Sequence, residues 1–277
     1  MSYGKTIELF LVNGTAESIV IAELSNWNGK AIKIPRTEVM SCNRDDLKSA
    51  GTYFLFCKMD DGSDAVYIGG AENIYDRLRQ HLQDYQSNKE SYYWNSAVAF
   101  IGRDLDKALI RYLENRFVEM ARQNNRYSVL TKNTYKNTVL KESKVAAMEE
   151  YIDHVKVIIN ALGYRVLEPT PTANEQTTKL YCKSASACAE GFVSAGGFTV
   201  SKGSKISDHI TPSFPTAAKP YYDLRQKLIN EGIIDDSVFA VDYEFNAPSA
   251  ASAVVLGRSS NGKIDWKDAS GTPLNKI

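Results

Sequence analysis

Tyr53, Tyr67, Arg77, His81 and Glu114 follow one another along a single stretch of the chain: two phenols, a guanidinium, an imidazole and a carboxylate. Such a set can work on a phosphodiester, whose hydrolysis needs a nucleophilic water, charge stabilisation on the phosphoryl oxygens and help for the departing oxygen. Arg77 suits the phosphate, because its planar, permanently charged fork donates two hydrogen bonds at once and lysine does not reproduce that geometry. Glu114 is the best oxygen ligand for a hard divalent cation. Mg²⁺ keeps several of its waters and needs only one or two protein carboxylates, and Mn²⁺ is compatible with the same ligand. His81 is the proton carrier near neutral pH, with relay, acid and phosphate donor all open to it. A tyrosine acts as general base only when neighbouring positive charge lowers its pKa far from ~10.

The elements that position these groups are readable locally. Gly51 to Cys57 and Ala65 to Ile68 are rich in β-formers, and the polar, glycine-bearing stretch between them is a hairpin loop, so two paired strands carry Tyr53 and Tyr67. Gly69-Gly70 lets the chain turn away. Asn73 then N-caps a helix running to about Leu82, in which Arg77 and His81, four residues apart, share a face. A second helix from Asp104 to Gln123 carries Leu109, Leu113, Phe117 and Met120 on one stripe. Apolar residues also neighbour Glu114 on its own face, and a lone carboxylate in such company calls for a compensating cation.

At Gly51-Thr52-Tyr53 and Tyr67-Ile68-Gly69 the sequence resembles the GIY-YIG endonuclease family, with Thr52 replacing the first motif's isoleucine. The family's arginine falls at Arg77, its histidine-or-tyrosine position at His81 and its metal-binding glutamate at Glu114, so the resemblance covers about residues 51 to 133. It implies that one tyrosine, Tyr53 in our reading, activates water, and that the core is a small, mainly antiparallel three-stranded sheet flanked by helices. The third strand is expected at Ala97 to Ile101. The family's later asparagine is matched to Asn133, with Asn124, Asn125 and Asn137 competing for the role.

Each residue also has a plainer reading. A strand tyrosine is usually a packing residue, Arg77 alone would be a solvated helix charge, and His81 a surface histidine. Glu114 would pair with Arg111 or Arg116 on a wet helix face. What favours chemistry is the coincidence of five complementary groups on the right elements.

Composition limits the setting. With 33 basic and 33 acidic residues the formal charge is zero, so an electropositive footprint must be local. Arg77 to Lys144 holds a basic surplus, from which Arg126, Lys132 and Lys136 are the best phosphate-contact candidates because they follow the metal helix. The four cysteines show no paired CxxC spacing, which argues against zinc and for a reducing, cytoplasmic setting. No apolar run approaches membrane-spanning length, and the polar first residues lack a signal-peptide core.

The fold class expected is mixed α/β, of the α+β kind. Residues 1–48 read as a β unit packed on the nuclease, with strands over Thr6–Val12, Ser18–Leu24 and Lys30–Ile34 and with Trp27 as a core lid. Residues 49–167 are the catalytic domain, ending in a helix from Glu142 to Leu162 capped by Gly163. Residues 168–178 are a linker by composition. Residues 179–277 resemble the DUF4357 type, a small domain of uncharacterised function that accompanies some GIY-YIG proteins. Its marks are Gly197 to Ser204 and Pro248 to Ala253, and the closing run Gly257 to Trp266 also resembles modules attached to restriction and methylation proteins. There a short helix is stopped at Gly257, and an Asn261-Gly262 turn leads into a strand ending at Trp266. Lys202, Ser204, Lys205, Arg258 and Lys263 are available to DNA or simply solvated.

The whole reads as a metal-dependent endonuclease acting on nucleic acid, DNA before RNA. The competing reading is a nucleic-acid-binding or regulatory protein with a weak or lost active site.

Overall fold

The structure, a computed structural model, describes residues 3–59, 62–102, 104–132, 139–173 and 177–277. The chain divides into two compact units, 1–169 and 170–277.

The first unit is built on one sheet. Its strands are β1 (Ile7–Leu11), β2 (Val20–Leu24), β3 (Lys30–Pro35), β4 (Gly51–Lys58), β5 (Asp64–Ala71), β6 (Trp94–Ile101) and the short β7 (Ser128–Val129), in the order β1-β2-β3-β6-β4-β5-β7. All neighbours are antiparallel except β5 and β7. Helices α1 (Ile74–Gln86), α2 (Lys107–Asn124) and α3 (Glu142–Ala161) cover it. Phe54 and Phe56 enter a core with α2 and α3, whereas Tyr53, Leu55 and Cys57 enter a second core with α1. Both faces of β4 are therefore dry, which explains why Gly51 to Cys57 reads as an apolar run without alternation.

Local signals set the ends of these helices. The Asn73 side chain accepts from the Asp76 N–H at 3.1 Å to start α1, which continues four residues beyond the expected Leu82 to Gln86. Asp106 Oδ1 accepts from the N–H groups of Ala108 and Leu109 and starts α2. Gly163, at φ +93°, follows α3. Trp27 is packed on the core edge against Tyr151, 5.1 Å between ring centroids.

The mixed α/β architecture is as read from the sequence, but the central strands do not stand as a sheet of three. Strand β3 pairs with β6 from Lys30↔Ile101 to Pro35↔Ser96, so the N-terminal strands extend the same sheet by hydrogen bonding. The reason is the open second edge of β6: a strand buried on both faces must satisfy its backbone donors and acceptors on both sides. Strand content is legible in sequence, and pairing partners are not.

The second unit has a four-stranded antiparallel sheet. Its strands β8 (Leu180–Lys183), β9 (Cys188–Ser194) and β10 (Gly197–Val200) lie side by side. Then come helices α4 (Phe214–Ala217) and α5 (Lys219–Asn230), a small ladder of β11 (Ile234–Asp235) with β12 (Val238–Phe239), and β13 (Tyr243–Phe245), which pairs with β10. Helix α6 (Pro248–Leu256) is apolar all round and ends at Gly257, φ +64°, as expected. The expected strand ending at Trp266 is instead a short helix, α7 (Gly262–Asp265), because Asn261 accepts from the Lys263 N–H and caps a helical turn. Trp266 is fully buried, lies 4.4 Å from the Phe198 ring and donates to the Pro248 carbonyl. Arg225, also buried, donates to the backbone carbonyls of Val254 and Ser207. All four cysteines are free. Among the described residues no helix is long and apolar enough to cross a membrane.

Candidate functional site

Strand β4 places Tyr53 inside the sheet, 1 % exposed, directly opposite Gly69 on β5. A Cβ on residue 69 would stand 2.5 Å from the Tyr53 hydroxyl, so glycine there creates the space the phenol occupies. Tyr67, half-buried on the same sheet face, stacks beside Tyr53 with ring centroids 6.2 Å apart. Helix α1 then delivers two partners to the Tyr53 hydroxyl: Arg77 donates through Nε at 3.2 Å, and His81 Nε2 lies at 2.8 Å. Arg77 also hydrogen-bonds Tyr67. The i, i+4 spacing is thus used as the sequence suggests, with both side chains meeting one oxygen.

Burial holds the Tyr53 phenol well above its ordinary range; the neighbouring Tyr67 adds to this, and Arg77 opposes it. Burial works against the Arg77 charge, but its bonds to the two phenols leave it firmly protonated. His81 has no solvent exposure, and its second ring nitrogen, Nδ1, lies 2.6 Å from Glu90 Oε1. The sequence gives no sign of Glu90, which lies in the loop after α1. That loop is folded back by Asn88 at φ +56° and by N–H donation from Lys89 and Glu90 to the Asp84 carbonyl. Tyr92, on the same loop, stacks 5.9 Å from Tyr67.

Glu114 reaches this region from the opposite sheet face. Successive strand residues point to opposite sides, so Gly69 faces Tyr53 while Gly70 faces α2; with two side chains missing in succession, the sheet is thin there. Glu114 is 6 % exposed and accepts a hydrogen bond from the Gly70 backbone. A Cβ on residue 70 would run into Ile110 and come within 3.2 Å of Glu114 Oε2. Burial pushes the Glu114 carboxyl up to about 7, against the Gly70 hydrogen bond and the positive charges of Arg77 and Arg111. Glu114 is therefore neither facing bulk solvent nor insulated from Arg77. The plainer pairing with Arg116 does not form: Arg116 donates to Glu149 and Glu119.

The remaining sequence candidates have different placements. Thr131 Oγ1 exchanges hydrogen bonds with both backbone groups of Ile68, one residue before Gly69, so the exposed Lys132 follows directly on the glycine end of β5. Arg126 donates instead to the carbonyls of Glu168 and Pro169. Asn133 and Lys136 lie outside the described residues, as does the competing Asn137. Asn125 takes the left-handed position that ends α2, and Asn124 reaches the Val166 carbonyl. Among the described residues no group of three or more His, Cys, Asp or Glu side chains is arranged for a metal, so Glu114 is considered as a single carboxylate.

Residues 180–277 match a family described as a domain of unknown function (DUF4357), which agrees with the boundary of the second compact unit. No curated protein and no solved structure matches the chain.

Proposed function

We propose that this protein is a metal-dependent endonuclease of the GIY-YIG type, hydrolysing phosphodiester bonds in nucleic acid, with DNA the preferred substrate. The observation that carries this reading is the meeting of Arg77 and His81 on the Tyr53 hydroxyl beside a thinned sheet edge, with a buried Glu114 reaching the same edge from behind. Packing alone does not account for a guanidinium, an imidazole and a phenol joined in a buried network next to a carboxyl whose burial outweighs the positive charge around it.

Glu114 fits a divalent cation on its own chemistry. A carboxyl pushed to about 7 by burial is an anion lacking enough positive charge nearby, and a hard cation with its own waters supplies that charge. Mg²⁺ is the natural choice and Mn²⁺ an alternative; when bound, either provides Lewis-acid stabilisation of phosphoryl charge. The protein groups do the rest. Arg77 binds and orients the scissile phosphate, and its charge favours a phenolate on Tyr53. Tyr53 takes the proton of the attacking water. His81, with Nε2 2.8 Å from the same hydroxyl, acts as a relay for the Tyr53 proton rather than as a direct phosphate ligand. Tyr67 holds the other flank of Arg77. The DUF4357 unit is a candidate for substrate selection through the exposed Lys202 and Lys263, whereas Lys205 and Arg258 pair with Asp208 and Asp265.

The test incubates duplex, branched and single-stranded DNA, and RNA, with Mg²⁺ or Mn²⁺, and compares the native chain with Arg77→Ala and Glu114→Ala. Metal-dependent cutting by the native protein that both variants lose supports the proposal. Binding without cutting would establish the competing reading, a nucleic-acid-binding or regulatory protein; cutting of RNA alone would reassign the substrate.

A further inference from the structure

We propose that Glu90 is a positioning residue for Tyr53: it fixes His81 with its proton on Nδ1, so that Nε2 is left open to receive the Tyr53 hydroxyl proton. This rests on the nuclease reading above for its purpose, but not for its geometry. Three hydrogen bonds in series define the arrangement. Arg77 Nε can only donate, so at 3.2 Å it occupies a lone pair of the Tyr53 oxygen. His81 Nδ1 and Glu90 Oε1 are 2.6 Å apart, and two acceptors at that separation require a proton between them. With that proton on Nδ1, a neutral imidazole presents its lone pair at Nε2, 2.8 Å from the Tyr53 hydroxyl, which donates its hydrogen there.

The order Glu90, His81, Tyr53, Arg77 alternates in the sense proton transfer needs. When the Tyr53 proton moves to Nε2, the imidazolium formed lies against the Glu90 carboxylate, and the phenolate formed lies against the Arg77 guanidinium. The phenolate then accepts a proton from water as the water oxygen attacks phosphorus, the bond to the leaving oxygen breaks and that oxygen takes a proton from solvent. On reset the Nε2 proton runs back to the Tyr53 oxygen as the water-derived proton leaves to solvent. No resting phenolate is needed, which matters because burial opposes one. The logic is that of a carboxylate orienting a histidine that serves a nucleophile or base.

The local build is specific to this task. Glu90 returns to His81 only because Asn88 takes a left-handed conformation and the chain folds back on Asp84. Its other oxygen, Oε2, is buried, and the Tyr92 phenol is the second group that interacts with this carboxylate. Tyr67 and Tyr92 flank this pair, with the Tyr67 ring 5.0 Å from that of His81.

The test uses the full chain and Glu90→Gln, with circular dichroism to establish that the variant folds and Glu90→Asp as a second variant that keeps the charge. Nitrogen NMR of imidazole-labelled protein reads the His81 tautomer without substrate, the other two histidines being assigned by substitution. The native spectrum is expected to show a protonated Nδ1 and a bare Nε2, and Glu90→Gln to lose that preference. Cutting of the DNA panel with Mg²⁺ is expected to fall by about 10²-fold or more in kcat, with DNA affinity in Ca²⁺ within about threefold of native and partial recovery in Glu90→Asp. A native His81 protonated on Nε2 with a bare Nδ1 would overturn the proposal, as would native cutting by Glu90→Gln. Native protein that cuts nothing while His81 keeps the Nδ1 proton would sink the nuclease reading and leave the Glu90 assignment standing as an orienting contact.

Discussion

Glu114 has a consequence at the scale of one residue that does not depend on any substrate. Its carboxyl is raised from an ordinary 4.5 to about 7 in the folded chain, so between these values the folded state holds a proton that the unfolded state has released. Stability is fully present below about pH 4.5 and is lost as pH rises through about 7. We expect Glu114→Gln, which cannot ionise, to stabilise the metal-free protein at pH 8 by about 2 kcal/mol, after allowance for partial screening, and to be nearly neutral at pH 4.5. Denaturant unfolding at the two pH values checks this. Added Mg²⁺ is expected to raise the melting temperature of the native chain at pH 8 and to leave Glu114→Gln unmoved; an equal gain in both would remove Glu114 as the metal ligand.

Arg77 supports a second prediction at this scale. Its Nε holds the Tyr53 oxygen while the planar fork is the element matched to phosphate, and lysine offers one point charge for both. Arg77→Lys is expected to fold with near-native stability yet lose about 10²-fold or more in cleavage, measured as single-turnover rate with DNA in excess of its dissociation constant. A rate within threefold of native would show that charge alone suffices.

Between neighbouring elements, the deciding feature is the Gly69-Gly70 step in β5. It leaves room for the Tyr53 hydroxyl on one face and lets α2 bring Glu114 against the backbone on the other. A methyl at 69 would meet a hydroxyl already fixed by Arg77 and His81, so the phenol must leave its hydrogen bonds or the strands must separate. Gly69→Ala is expected to cost about 1–3 kcal/mol by overpacking and to shift the His81 imidazole signals. Native stability together with an unchanged His81 spectrum would refute the argument. The helix caps at Asn73 and Asp106 were legible because side chain and backbone meet within three residues. The fold-back that brings Glu90 to His81 was not, because it depends on a left-handed Asn88 in a loop without periodicity.

At the scale of the whole molecule, the chain contains separate apolar cores. Phe117 is buried among the residues of β4, α2 and α3, whereas Trp266 is buried with Phe198, Val254 and Leu180 in the second unit. Truncating either large ring should cost about 3–5 kcal/mol in its own unit. Scanning calorimetry is expected to show two transitions, with Phe117→Ala lowering one and Trp266→Ala the other. A single transition shifted by both variants would mean that the units unfold together.

Residue order determined a good deal by itself. Short-range chemistry marked the main strands and helices of the first unit, because β-formers bounded by glycine, side-chain caps and i, i+4 spacing act within a few residues, but it misread the turn before Trp266, which Asn261 caps as a helix. It also marked residues 179–277 as a domain of the DUF4357 type, and the family match covers residues 180–277. Tertiary structure alone decided which strands pair, joining residues 1–48 to the central sheet through β3 and β6. It also brought Glu114 against the Gly70 backbone and Glu90 behind His81. Those contacts depend on backbone hydrogen bonds and burial between segments far apart in the chain, and their free energy exists only once the chain is folded.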